Sequence, residues 1–124
     1  MSDVFWIALG AAAGANLRYA VSRGVAKYVS ASLPYGTLVV NVTGSLLLGF
    51  ILAWTSERVL ADPRWRPLLA VGFCSSYTTF SSYTFETFAL FEQGHVGLAA
   101  ANFAANNVVC LVAVLTGVAL ARMV

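Results

Sequence analysis

The stretch "CSSYTTFSSYTF", Cys74 to Phe85, lies inside an otherwise apolar run, yet every position from Ser75 to Thr84 except Phe80 carries a hydroxyl. Such groups are uncharged hydrogen-bonding ligands rather than reactive centres. Two further polar tracks accompany them. Thr37, Asn41 and Ser45 recur every four residues, and so do Asn102, Asn106 and Cys110, with Asn107 beside them. That spacing puts each trio on one face of a helix. Polar side chains in a membrane segment are costly unless they face protein or water. One reading makes them hydrogen-bonding glue between helices; three tracks in one small chain favour a wet pathway. Glu86 is the sole acidic residue well inside an apolar segment. Amide and hydroxyl donors without a fixed counter-charge suit a small anion better than a cation. Phe80 and the ring at position 83, spaced i, i+3, can add their electropositive edges.

Helices must position these groups. Of the 124 residues, 60% are hydrophobic and 10% charged, against roughly 25% charged in an ordinary soluble domain. So much apolar surface requires lipid, and the chain is expected to be a single all-α membrane domain, residues 1–124. A crossing helix needs about 20 apolar residues, and charges divide the sequence into spans at 4–22, 35–56, 67–91 and 96–121. Between them lie "RGVAKYVSASLP", the charged "ERVLADPRWR" and the tight turn "EQGH". Gly10 and Gly14 form a GxxxG pattern for close helix packing; Gly36, Gly44 and Gly49 suit the same purpose. Ser and Thr side chains can satisfy backbone groups freed by a helix break, and "SSYTT" is the expected break point. A broken helix offers carbonyls to a cation and amide ends to an anion.

Other functions are excluded by what surrounds these groups. His95, the single histidine, has no carboxylate or cysteine beside it to form a catalytic pair. No glycine-rich phosphate loop or metal-ligand spacing occurs. A net charge of +2 without a basic run argues against nucleic acid. Cys74 and Cys110 fit as small packing groups. Loop charge orients the chain weakly. With the N-terminus inside, Arg58, Arg64, Arg66 and Arg122 lie inside, against two or three cations outside: Arg23 and Lys27, with or without Arg18. Insertion in both orientations follows from so small a bias.

Four stretches, "GAAAGANLRY", "GTLVVNVTGSLLLG", "GFCSSYTTFSSYTFET" and the asparagine-bearing fourth span, together resemble the Fluc family of fluoride channels, also called CrcB. The resemblance covers nearly the whole chain, and "GTLxVNxxG" followed by "TTFS" makes it specific. It implies an antiparallel, dual-topology homodimer of four-helix subunits in the cell (inner) membrane, with the third helix broken near its middle. Two fluoride pores would each be built from both subunits. By resemblance Asn41 is the pore asparagine and Phe80 the first ring of an aromatic pair. Thr37, Ser81, Asn102, Asn106 and Cys110 match the polar lining, Arg18 a pore vestibule, and Glu86 a glutamate near the rings. A central sodium ion is implied at the backbone carbonyls of Ser75 and Thr78. Serines stand at 75 and 76 where the family usually has glycine, and Tyr83 stands where phenylalanine is typical. The other small four-span class, dual-topology multidrug exporters, needs a glutamate in the first span, and residues 4–22 contain none.

Overall fold

The computed structural model describes residues 2–29, 32–58 and 62–124. Three of its helices are long and apolar enough to cross a membrane: α1 (Asp3–Tyr28), α2 (Tyr35–Glu57) and α5 (Val96–Met123). The third polar span is instead two shorter helices. The first, α3 (66–77), has a π-helical body, Arg66–Cys74, and a closing α turn, Ser75–Tyr77. The second is α4 (Phe80–Glu92). Thr78 and Thr79 between them are extended, with φ/ψ of −83°/162° and −152°/116°. The break thus falls within the stretch where hydroxyls were expected to permit it.

Helix α1 continues past the polar boundary expected at Ser22. The chain from Arg23 stays helical to Tyr28, because charged side chains end the lipid-crossing part without ending the hydrogen-bond ladder. Arg23 folds back one turn, donating to the Tyr19 hydroxyl at 2.8 Å and covering its ring. Lys27 occupies the last turn, where the helix dipole favours a cation. At the other sharp turn, Gly94 takes φ 79°. Its N–H caps the end of α4 by donating to Phe91 O at 3.0 Å.

Small residues set the helix pairs, as expected of the GxxxG pattern. A Cβ on Gly10 would strike the Leu68 carbonyl, and one on Gly14 the Phe73 carbonyl, so α1 lies backbone to backbone on α3. Gly49 against Val114, and Gly117 against Leu46, bring α2 equally close to α5. Beyond the membrane ends, Arg64 forms an ion pair with Asp62 at 2.6 Å and lies over the Trp6 ring. Its hydrogen bonds hold the Asp62 carboxyl down to about 2. Large apolar side chains point outward along α4 and α5, among them Phe85, Phe88, Phe91 and Phe103. The interior of the bundle is unusually polar: Thr37, Asn41, Thr79, Asn102 and Asn106 are all buried.

Candidate functional site

The break in the third span needs partners for its backbone, and Asn41 on α2 supplies them. Its Oδ1 accepts from Thr79 N at 2.8 Å, while Nδ2 donates to Thr79 O at 3.1 Å. Thr79 in turn caps α4, its Oγ1 accepting from Ser82 N at 3.2 Å. One side chain therefore replaces both backbone bonds that a continuous helix would have made at Thr79. Because Thr79 N is taken, the Ser75 carbonyl lacks the donor four residues ahead that a helix would give it. The Thr78 carbonyl, in the extended link, accepts from Arg18 Nη1 of α1 at 3.3 Å.

From Asn41 a relay of amides runs along α5. Asn41 Nδ2 also donates to Asn106 Oδ1 at 2.9 Å. Asn106 Nδ2 donates to Asn102 O and Oδ1 at 3.0 and 3.1 Å. Asn102 Nδ2 donates to Thr87 Oγ1 at 2.9 Å, and Thr87 Oγ1 to Tyr83 O at 2.8 Å. Asn106 and its neighbour Asn107 sit in a π-helical segment of α5, Ala105–Val109. Such wide turns recur at functional sites. Here the two adjacent asparagines serve different partners: Asn106 meets Asn41, whereas Asn107 Nδ2 donates to the Tyr83 hydroxyl at 3.0 Å and to Phe103 O at 2.7 Å.

Asn41, Thr79, Tyr83, Asn106 and Asn107 border a cavity of about 210 Å³, lined also by Ser45, Leu48, Thr78, Phe80 and Cys110. No charged side chain is among its lining residues. The Phe80 and Tyr83 rings meet edge to face, centroids 5.3 Å apart and planes at 61°. Tyr83 is 5% exposed, but Phe80 is 74% exposed and Asn107 also faces outward. An exposed amide at membrane depth is costly in lipid. Something other than acyl chains must cover this face.

The expected site residues divide among separate places. Asn41, Phe80, Tyr83, Asn106 and Cys110 line this cavity. Asn102 is fully buried one turn deeper and holds Asn106 rather than lining the space. Ser81 is exposed, its hydroxyl 3.4 Å from that of Thr79. Thr37 and Glu86 belong to a second cavity of about 170 Å³ near Pro34, where Thr37 Oγ1 donates to Glu86 Oε1 at 2.7 Å. Glu86 Oε2 is buried without a partner among the described residues. Arg18, Ser75 and Thr78 cluster at the break itself. Thr79 and Asn107 stand outside the expected site residues; threonine is a residue type that favours a helix N-cap, whereas nothing in the sequence marks the π turn in which Asn107 sits.

A family model described as "CrcB-like protein, Camphor Resistance (CrcB)" matches residues 5–118. The chain belongs to the CrcB-like family. Among its CrcB relatives it is 51% identical over 122 residues to the fluoride-specific ion channel FluC of Koribacter versatilis (strain Ellin345), covering 98% of this chain and 97% of that one. It is 44% identical to the fluoride-specific ion channel FluC of Sulfurihydrogenibium sp. (strain YO3AOP1), covering 99% of both. Identity is also 44% to the protein of that name from Methylococcus capsulatus, where the match covers 97% of this chain but 53% of the relative. CrcB membership agrees with the motifs that carry the sequence resemblance, and it makes the chain a non-enzymatic membrane protein.

Proposed function

We propose that the chain is a subunit of a fluoride-selective channel that lets fluoride leave the cytoplasm passively. The supporting observation is an uncharged cavity at the helix break, bounded by amides and hydroxyls and by the Phe80–Tyr83 edge pair. Hydrogen fluoride enters cells as a neutral acid and dissociates inside, so an anion path driven by the membrane potential suffices for export. The buried amides keep their donors on protein oxygens at rest. An arriving anion therefore exchanges those bonds rather than meeting idle donors, and the small net gain keeps binding weak enough for release. Ring edges contribute attraction without a charge that would trap the ion.

A second copy of the chain, packed antiparallel in the membrane, completes the path. Support for this comes from the outward-facing Phe80 and Asn107 and from the weak charge bias of the loops. The break suits a sodium ion at a two-fold axis. The Ser75 carbonyl is deprived of its helical donor by Asn41. The Thr78 carbonyl already attracts a cationic group, Arg18, through a long bond that leaves a lone pair. Ser75 and Thr78 of both copies would hold the ion, which supplies fixed positive charge to their carbonyls and ties the copies together. In the same reading Thr37 and Glu86 line the approach to the narrow region, and Ser81 its far side.

The multidrug-exporter reading is not favoured, since no carboxylate lies in α1 within residues 4–22 to bind a cationic substrate. Expression in bacteria lacking their own fluoride exporter distinguishes the two. Growth restored on fluoride, without resistance to quaternary ammonium compounds, is the expected result. Resistance to the organic cations with no tolerance of fluoride would reverse the assignment.

A further inference from the structure

Of the donors that face the cavity, nearly all are committed to protein acceptors. Both Nδ2 hydrogens of Asn41 are taken by Thr79 O and Asn106 Oδ1, and those of Asn106 by Asn102. Thr78 Oγ1 donates to Cys74 O and Thr79 Oγ1 to Ser82 Oγ. Asn107 spends one hydrogen on Phe103 O, at 2.7 Å, and that contact fixes the amide's orientation, because a carbonyl can only accept. Its second hydrogen therefore points at the Tyr83 oxygen, 3.0 Å away. The phenol is thus obliged to act as acceptor toward Asn107, and its own proton must point elsewhere. Among the described residues no acceptor takes it. The ring is buried and lines the cavity, so the cavity lies beside the unshared O–H.

We propose that the Tyr83 hydroxyl, set by Asn107, is a fixed hydrogen-bond donor to the permeating anion, and that Asn107 is its positioning residue. A phenylalanine at this position offers only its ring edge. The tyrosine adds an O–H whose donor strength is raised by the bond it accepts, so fluoride is held more tightly and released more slowly here. This inference rests on the channel reading above and adds a binding step peculiar to a tyrosine-bearing aromatic pair. A small, strongly basic anion gains most from such a donor.

Fluoride flux from liposomes containing the purified dimer, measured across fluoride concentrations, tests it. A hydrogen bond to a charged partner is worth enough that Tyr83→Phe should raise the half-saturating fluoride concentration about tenfold and increase maximal flux. Asn107→Leu frees the phenol to rotate and should shift half-saturation in the same direction. In the Tyr83→Phe background Asn107→Leu should shift it no further, a non-additivity that a merely structural role for Asn107 does not produce. Unchanged half-saturation in Tyr83→Phe overturns the proposal whatever the maximal flux does. An Asn107→Leu effect that persists in full without the hydroxyl removes Asn107 from the role. Wild-type liposomes that release no fluoride would instead overturn the channel reading itself.

Discussion

Replacing Asn41 with alanine should both loosen the protein and stop the path. The side chain is 8% exposed and makes three hydrogen bonds, two to the backbone of Thr79 and one to Asn106 Oδ1. Side-chain hydrogen bonds in membrane proteins average about 0.6 kcal/mol, so three give about 2 kcal/mol as a floor. Leaving buried groups unpaired costs about 1–3 kcal/mol each in aqueous-domain bookkeeping, which would be several times larger. The floor is the better guide, because Thr79 N–H can recover a partner. With Asn41 gone it can turn back to the Ser75 carbonyl and heal the helix across the break. Healing limits the stability loss to about 2–3 kcal/mol but removes the extended link that shapes the cavity. The expected outcome is a lower midpoint in detergent thermal unfolding together with fluoride flux reduced at least about tenfold, the equivalent of one 1.4 kcal/mol step in the barrier. Amide exchange at Thr79 should stay slow if the helix heals. Wild-type stability with wild-type flux would refute the pinning role, and normal stability with lost flux would leave Asn41 solely as an ion ligand.

Phe80→Ile keeps bulk and loses the electropositive edge, so liposome flux should fall while the size-exclusion profile stays that of the unmutated protein; undiminished flux would place Phe80 in the packing. Gly10→Ala forces a methyl into the Leu68 carbonyl and should cost about 1–3 kcal/mol, read as a lower unfolding temperature, with Gly24→Ala, which meets nothing within 4 Å, as the neutral comparison. Single cysteines at Ser2 and Asp62, labelled in cells with an impermeant reagent, should each be found on both sides of the membrane; labelling of every copy from one side would exclude the antiparallel dimer.

The polar groups were legible because lipid makes them conspicuous. Thr37, Asn41 and Ser45 announce a common face by spacing alone, and the density of hydroxyls around Thr78 marks a place where a helix can end. Their division into two cavities was not legible. Thr37 and Glu86 sit on the same helices as Asn41 and Tyr83, but one turn of α2 and one of α4 carry them into a separate cavity beside Pro34. Nor could spacing show that Asn102 supports Asn106 from below, since both lie on the same i, i+4 track. The extension of α1 to Tyr28 was hidden because charge signals the edge of the bilayer and says little about where hydrogen bonding stops. Asn107 was legible only as a neighbour of the polar track, because spacing does not show the bond that its amide, in the wide turn Ala105–Val109, makes to the Tyr83 oxygen.

Liposomes containing this protein alone measure selective anion release directly. Vesicles loaded with potassium fluoride or potassium chloride, with potassium made permeable by an ionophore, report anion efflux without any other protein present. A narrow cavity with committed amide donors should release fluoride rapidly and chloride barely above protein-free vesicles, because chloride is larger and accepts hydrogen bonds more weakly. Equal release of the two anions, or release of neither, would contradict the account.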